Sequence, residues 1–409
     1  MLNNKTLSSF ISRIRQSIGH RAAHHLDPLR IRCATAIKVS SIRRILYIED
    51  RVPHMHLGAG YPRSNFMISA LIRLGYSVTL FPMNDQPEST QEIYQDIPRS
   101  VKVVRYYRRD QLGRFLQERQ GYYDLILVSR PHNMAALREV LSMFQAPKIL
   151  YDAEALFSFR DIEKARLEGQ PLSPEAEEAL IADEIKLAEN SCAIISVSEN
   201  EASQFRKYSN SKVYTLGHAL PVVPTPNPFA QRQDILFVGP LRDVGSPNID
   251  SVTWFINEVF PLISESLGPA VRFLVAGTAD PAVIAPLERE GVKFLGCVDD
   301  LTDLYAQARL FVAPTRYAAG IPLKIYEAAA HGLPVVGTPL VSRQLTWRND
   351  CELLVADGAQ DFAAACIALY QDGRLWETLR LNALERVRVD CSMTDFVARL
   401  KYIVEENLN

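Results

Sequence analysis

The sequence predicts an α/β protein made of two Rossmann-like, doubly wound parallel-sheet domains facing a central cleft. Three observations carry this reading. The chain has 409 residues, enough for two or three domains at roughly 150 residues each. From residue 45 onward, short β-branched runs alternate with longer helical patterns, the signature of a parallel sheet covered by helices on both faces. Four prolines, Pro221, Pro224, Pro226 and Pro228, then break every periodicity, after which the alternation starts again.

Taken in order, the first half offers strands at Ile45–Ile48, Ser77–Phe81, Val101–Tyr106, Leu125–Val128, Lys148–Tyr151, Ala193–Val197 and Lys212–Thr215. After the prolines come a strand at Ile235–Val238, a helix near Ile249–Glu265, and strands at Arg272–Ala276, Lys293–Leu295, Leu310–Val312 and Pro334–Val336. A last helix around Asp395–Glu406 carries Phe396, Leu400 and Ile403 on one stripe. The expected layout is a basic extension (1–44), a first domain (45–220), a linker (221–233), a second domain (234–392) and a C-terminal helix (393–409). Two such sheets would meet at the carboxyl ends of their strands, where open α/β sheets bind ligands.

Composition narrows the classes. No run approaches the roughly 20 apolar residues of a spanning helix, and the first thirty residues lack the apolar core of a secretory signal. The six cysteines are scattered without a Cys-x-x-Cys pair or a His at metal spacing. They read as reduced thiols of a cytoplasmic protein without a metal site. Residues 1–119 hold 19 Lys and Arg against 9 Asp and Glu, a net of +10, so the rest of the chain carries −12. One end should meet something anionic. No zinc-finger or RNA-recognition motif accompanies the charge, which argues against nucleic acid and for a membrane surface or a phosphate-bearing substrate. Residues 1–44 place Leu7, Phe10, Ile11, Ile14 and Ile18 at helical spacing among nine Lys or Arg and one acid, Asp27. This fits a helix lying on the inner face of an anionic membrane, or one packed on its own domain or on a partner. Arg105, Arg108, Arg109, Arg114 and Arg119 would extend that basic face.

The stretch Ala313–Val336 is the most informative. It reads as a strand end, a loop with Gly320, a helix from near Pro322 to Gly332, and another strand. Free amides at the helix start beside a glycine suit phosphate oxygens. Lys324 is placed against the helix dipole unless an anion binds there. Glu327 shares a face with it, and its carboxylate can accept both hydroxyls of a ribose. A solvated Lys and Glu pair would give the same spacing.

Together with Phe237-Val-Gly-Pro-Leu241, Val275-Ala-Gly277, Val292–Leu301 and the ending Glu-Ala-Ala-Ala-His-Gly-Leu-Pro-Val-Val, this half resembles the donor domain of group 1, family four-like glycosyltransferases of the GT-B fold. The resemblance runs from about residue 44 to the C-terminus and is most specific in the last 180 residues. It implies a retaining, metal-independent enzyme that needs no cofactor. Such an enzyme moves a sugar from a nucleotide diphosphate sugar to a hydroxyl of a glycan, a lipid-linked glycan or a protein, in polysaccharide or glycoconjugate synthesis. It also implies donor contacts from Gly239, Arg242, Arg316, Gly320, Ile321, Leu323, Lys324 and Glu327. The family's usual motif has a first glutamate eight residues before the second. Here that position is Ala319. A catalytically silent partner subunit and a nucleotide-sugar epimerase are therefore alternatives.

In the first domain, Gly58 and Gly60 follow the first strand, but Arg63 stands where a dinucleotide fingerprint has its third glycine, so hydride transfer is rejected. The resemblance makes this the glycine loop near the donor's phosphates, with Arg63 adding charge. A tight strand-to-helix turn is the alternative. His132 follows the strand Leu125–Val128, and the resemblance gives it a role at the reacting centre. A structural histidine would look the same. Asp152 and Glu154 follow the next strand, where either could act as base or cap a helix.

Overall fold

The computed structural model describes residues 42–58, 60–84, 87–242 and 245–408. The expected basic amphipathic helix lies outside the described residues. Seven strands form the first sheet: β1 (Arg44–Glu49), β2 (Ser77–Pro82), β3 (Lys102–Val103), β4 (Leu125–Ser129), β5 (Lys148–Glu154), β6 (Ala193–Ser196) and β7 (Lys212–Thr215). Their order is β3-β2-β1-β4-β5-β6-β7, and every pairing is parallel. Six strands form the second: β8 (Gln233–Val238), β9 (Phe273–Ala276), β10 (Val292–Gly296), β11 (Ala308–Ala313), β12 (Val335–Gly337) and β13 (Leu354–Val355), in the order β10-β9-β8-β11-β12-β13. These pairings are parallel as well.

The central strands are continuous apolar runs because both faces are covered. Residues 45–48 and 125–128 are fully buried. Inside each sheet the order reverses once, between β1 and β4 and between β8 and β11, and these are the switch points where ligands bind.

The expected strand Val101–Tyr106 pairs only over Lys102–Val103. Val104 still donates to the Leu80 carbonyl at 2.9 Å, but the next β2 position facing that edge is Pro82, which has no N–H. The helix expected at Ile249–Glu265 spans residues 247–267 and contains a π-helical turn at Phe255–Val259. Pro261 stands two residues beyond that turn, and a widened turn accommodates a residue that cannot donate. Strand β13 is only two residues long and left no pattern to read.

The proline-rich segment is strapped to the second unit. Val223 and Thr225 donate their amides to the carbonyls of Ala330 and His331, both at 3.0 Å. The last helix, Met393–Leu408, returns to the first sheet. Phe396, Leu400, Ile403 and Val404 join the core formed by Met67, Leu71 and Val78, with Phe396 edge-on to Phe66 at 5.2 Å.

Candidate active site

The first switch point gathers charge in a dry place. β1 ends at Glu49 and Asp50, β4 at Ser129 and Arg130, and β5 at Asp152 and Glu154. Glu49 is fully buried. It accepts from Arg130 Nε at 2.7 Å, the Asp50 amide at 2.8 Å and Ser64 Oγ at 2.5 Å. Arg130 also lies 3.2 Å from Glu154 Oε2 and 4.3 Å over the Tyr61 ring.

Arg130 and Glu154 both have positive φ, 79° and 57°, a conformation that costs about 1–3 kcal/mol for a residue with a side chain. Two strained residues are thus held against each other by their ion pair. Burial pushes Glu154 up to about 8; Arg130 opposes this, and Glu49 and Asp152 add to it. The Glu154 carboxyl also explains Gly60, since a Cβ there would lie 2.8 Å from Glu154 Oε2. Gly60, at φ 85°, caps the helix Tyr61–Arg73. The chain's own carboxyl therefore sits at this helix start, and Gly58 (φ 65°) turns the loop before it.

His132 is 45% exposed and its Nε2 lies 2.5 Å from Asp50 Oδ1. Asn133 Nδ2 donates to the same oxygen at 3.0 Å. Burial pushes Asp50 up, but the hydrogen bond to His132 and the Arg130 charge outweigh it and hold the carboxyl below its usual range. With Nε2 bonded to Asp50, Nδ1 is the ring nitrogen that His132 leaves for another partner. Asp50 was not singled out from sequence. The available signal is its place, directly after a buried strand at the switch point.

Arg63 is corrected from the donor-site role expected of it. It is 2% exposed and donates inward to Asp152 Oδ2 at 2.6 Å, Gly217 O at 2.9 Å and Leu216 O at 2.8 Å. Asp152, fully buried, is the counter-ion of this pair. Among the expected catalytic carboxyls, Glu154 stands beside the His132 and Asp50 pair through Arg130, whereas Asp152 faces the interior.

At the second switch point, the helix Leu323–Ala330 starts without a side-chain cap. Lys324 donates to Asn248 Oδ1 at 2.7 Å and lies 4.1 Å over the Phe237 ring. Asn248 also fills the space beside Gly239, where a Cβ would approach its Nδ2 to 2.8 Å. Burial brings Lys324 down to about 7 and raises Glu327 to about 7. Both side chains keep partial exposure while densely surrounded. Among the described residues neither forms an ion pair. Leu323 opens the helix, half-buried, and Arg242 is exposed after β8.

Arg316 is a second correction. It grips Asp250 with two bonds, 3.0 and 2.5 Å, and lies over Trp254, so it fastens its loop to the helix Pro247–Trp254 and does not await a ligand. The Gly320 loop touches the first unit. The Gly320 amide donates to Glu201 Oε1 at 2.8 Å, and His218 Nε2 lies 3.3 Å from the Ile321 carbonyl. Gly320, at φ 72°, faces Ala155, whose Cβ would be 3.1 Å from an added Cβ. Glu201 and His218 were not foreseen, because their partners lie more than 100 residues away in sequence.

Among the described residues no group of three or more His, Cys, Asp or Glu side chains could hold a metal ion, and no helix is long and apolar enough to cross a membrane. Of the expected basic run, Arg105, Arg108, Arg109 and Arg114 are exposed, Arg114 beside Glu118 and Arg105 bonded to Thr90, whereas Arg119 is 8% exposed and stacks on Phe115 and Tyr107.

Two facing parallel sheets with their switch points at one cleft define the GT-B architecture, and solved structures of that kind superpose on nearly the whole chain. Sucrose-phosphate synthase from Thermosynechococcus elongatus is 18% identical, with a TM-score of 0.67 over 89% of this chain and 98% of that one. Anabaena HepE, solved in complex with UDP-glucose, is 15% identical, with a TM-score of 0.63 over 89% and 99%. The pneumococcal O-GlcNAc transferase GtfA, solved with UDP and GlcNAc, is 12% identical, with a TM-score of 0.65 over 90% and 100%. Residues 232–372 match the family model of the glycosyl transferases group 1. The second unit is thus similar to the glycosyl transferases group 1, and the chain as a whole has the GT-B fold. No curated protein sequence gives a match.

Proposed function

We propose that this protein transfers a sugar from a nucleotide diphosphate sugar to an acceptor hydroxyl on a glycan, a lipid-linked glycan or a protein, with retention and without a metal ion or other cofactor. The observation that carries the reading is the pair Lys324 and Glu327: a cation and a carboxylate, both desolvated and both without a charged partner among the described residues. Leaving such groups unpaired is costly unless a ligand completes them. Lys324 and the uncapped helix amides would meet a diphosphate, and Glu327 would accept ribose hydroxyls. Arg242 and the Gly239 turn border the same strand end. HepE and GtfA, solved with UDP, favour a uridine nucleotide as the first probe.

On the other side of the cleft, His132, oriented by Asp50, would meet the reacting sugar or the acceptor hydroxyl, and Glu154 would supply or take a proton. Catalysis would come mainly from stabilising the departing diphosphate and from orienting the acceptor. The basic segment 1–44 would hold the enzyme on an anionic membrane from the cytoplasmic side. The reading is tested by hydrolysis and transfer assays with a panel of nucleotide sugars. Turnover of one donor supports it, and a folded protein that binds the nucleotide but turns over no donor points to a catalytically silent subunit, as Ala319 would allow.

A further inference from the structure

A second recess lies beside the Gly320 loop, at the junction of the two units. It has a volume of about 190 Å³, room for about six waters at roughly 30 Å³ each, which is the space of one sugar ring. Lys324, Glu327, Asn248 and His132 do not line it; Ala319 and Gly320 do, so it adjoins the loop of the second half without sharing its charged groups.

Its walls are of two kinds. Phe159 and Ile162, from the helix Phe157–Leu167, and Leu340, from the helix Pro339–Leu345, give it apolar faces. Glu201 and Gln344 line it with oxygens, and each has one buried oxygen without a hydrogen-bond partner, Glu201 Oε2 and Gln344 Oε1. Glu201 is 3% exposed, and its other oxygen holds the Gly320 amide. Two acceptors without donors call for a ligand that donates.

The charge of that ligand is also constrained. Arg166 is already bonded to Glu163 and Glu177, and three lining carboxylates face two guanidiniums, which disfavours an anion. Burial raises Glu201 to about 7, against the pull of the Gly320 amide, so a cation gains little from it near neutral pH.

We propose that this recess binds one neutral sugar ring, whose hydroxyls donate to Glu201 and Gln344 while its C–H face rests on Phe159 and Ile162. The ring belongs either to the acceptor glycan or to a free saccharide that acts on the enzyme. Only the first source rests on the transferase reading. Since Glu201 also holds the Gly320 amide, an occupied recess bears on the loop that leads into the donor helix.

The test is ligand-observed NMR on the full chain with methyl glycosides of neutral hexoses, 6-deoxyhexoses and N-acetylhexosamines, with glucose 1-phosphate and glucosamine as charged controls. At least one neutral glycoside should bind, and UDP should not displace it. Glu201→Gln keeps an oxygen for the Gly320 amide but turns the unpartnered acceptor into a donor, and Gln344→Leu removes the other acceptor without removing a bond to the loop. Each should weaken binding at least ten-fold. The proposal is overturned if no neutral glycoside binds, if the charged controls bind as well, if UDP displaces the glycoside, or if the folded Gln344→Leu protein binds it unchanged. UDP binding measured on the same samples keeps the two readings apart, because loss of the glycoside alone removes the recess and leaves the donor site standing. If the bound glycoside is extended when a donor is supplied it is an acceptor, and if it stays unmodified it is a free saccharide ligand. Both results support the site.

Discussion

Single residues decide whether the cleft is a nucleotide site. Glu327→Ala should weaken nucleoside diphosphate binding by about 1.5–3 kcal/mol for each charge-assisted hydrogen bond lost, in a protein that still folds, as measured by calorimetric titration. Binding should also be bell-shaped in pH. Glu327, raised to about 7, must lose its proton to accept hydroxyls, and Lys324, lowered to about 7, must keep its own to meet a phosphate. Affinity should fall on both sides of neutrality, and Lys324→Met should remove the alkaline limb. His132→Ala should lower turnover while leaving free nucleoside diphosphate binding nearly intact; full activity would make His132 structural.

Arg63 teaches the opposite lesson. A guanidinium after a glycine loop has the same sequence whether it faces a phosphate or the interior, and here it closes on Asp152. Arg63→Ala therefore leaves a buried carboxylate uncompensated and should cost about 3–5 kcal/mol of stability in denaturant titration. A purely local loss of donor affinity would contradict the structural assignment. Lys324 was legible because it sits at the wrong end of a helix dipole. Asp50, Glu201 and His218 were not, since their meaning comes from partners 82 to 119 residues away.

At the scale of elements, what was legible followed local periodicity and punctuation. The helix Leu323–Ala330 announced itself through Pro322 and Gly332, and the central strands through unbroken apolar runs. The length of β3 was not legible, because it depends on the missing N–H of Pro82 in a neighbouring strand. The stripe on the last helix was visible, but which sheet it covers was not. Leu400 is fully buried in the first unit's core, so Leu400→Ala should cost about 2–5 kcal/mol. Glu406, which accepts from Lys212 and Tyr214 at 2.6 Å, ties the helix end to β7. Removing residues 393–409 should therefore unfold the first unit and not the sheet next to the helix in sequence; limited proteolysis that instead cuts the second unit first would contradict this.

For the whole molecule, the unusual feature is a set of carboxyls that burial raises toward neutrality: Glu154 to about 8, Glu201 to about 7 and Glu327 to about 7. A raised carboxyl stabilises the fold fully below its ordinary value of 4.5 and loses that contribution as pH rises through its folded value. His218, lowered to about 3 by burial, acts in the opposite sense up to about 6.5 but is outnumbered. The melting temperature of the ligand-free protein should thus decline from about pH 5 to 7. It should level off by about pH 8, where the lowered Lys324 offsets Glu154. Glu154→Gln should flatten the decline, and a melting temperature that rises over this interval would refute the buried-acid picture.

The cleft's purpose is tested most directly by titrating the full chain calorimetrically with UDP, GDP and ADP, alongside Lys324→Met and Glu327→Ala. One diphosphate should bind, at 100 times its dissociation constant adding about 2.7 kcal/mol of stability, and each substitution should weaken it at least ten-fold in a protein that still melts cooperatively. A folded chain that binds none of the three, or variants that bind as the parent does, would contradict a nucleotide-sugar site at Lys324 and Glu327.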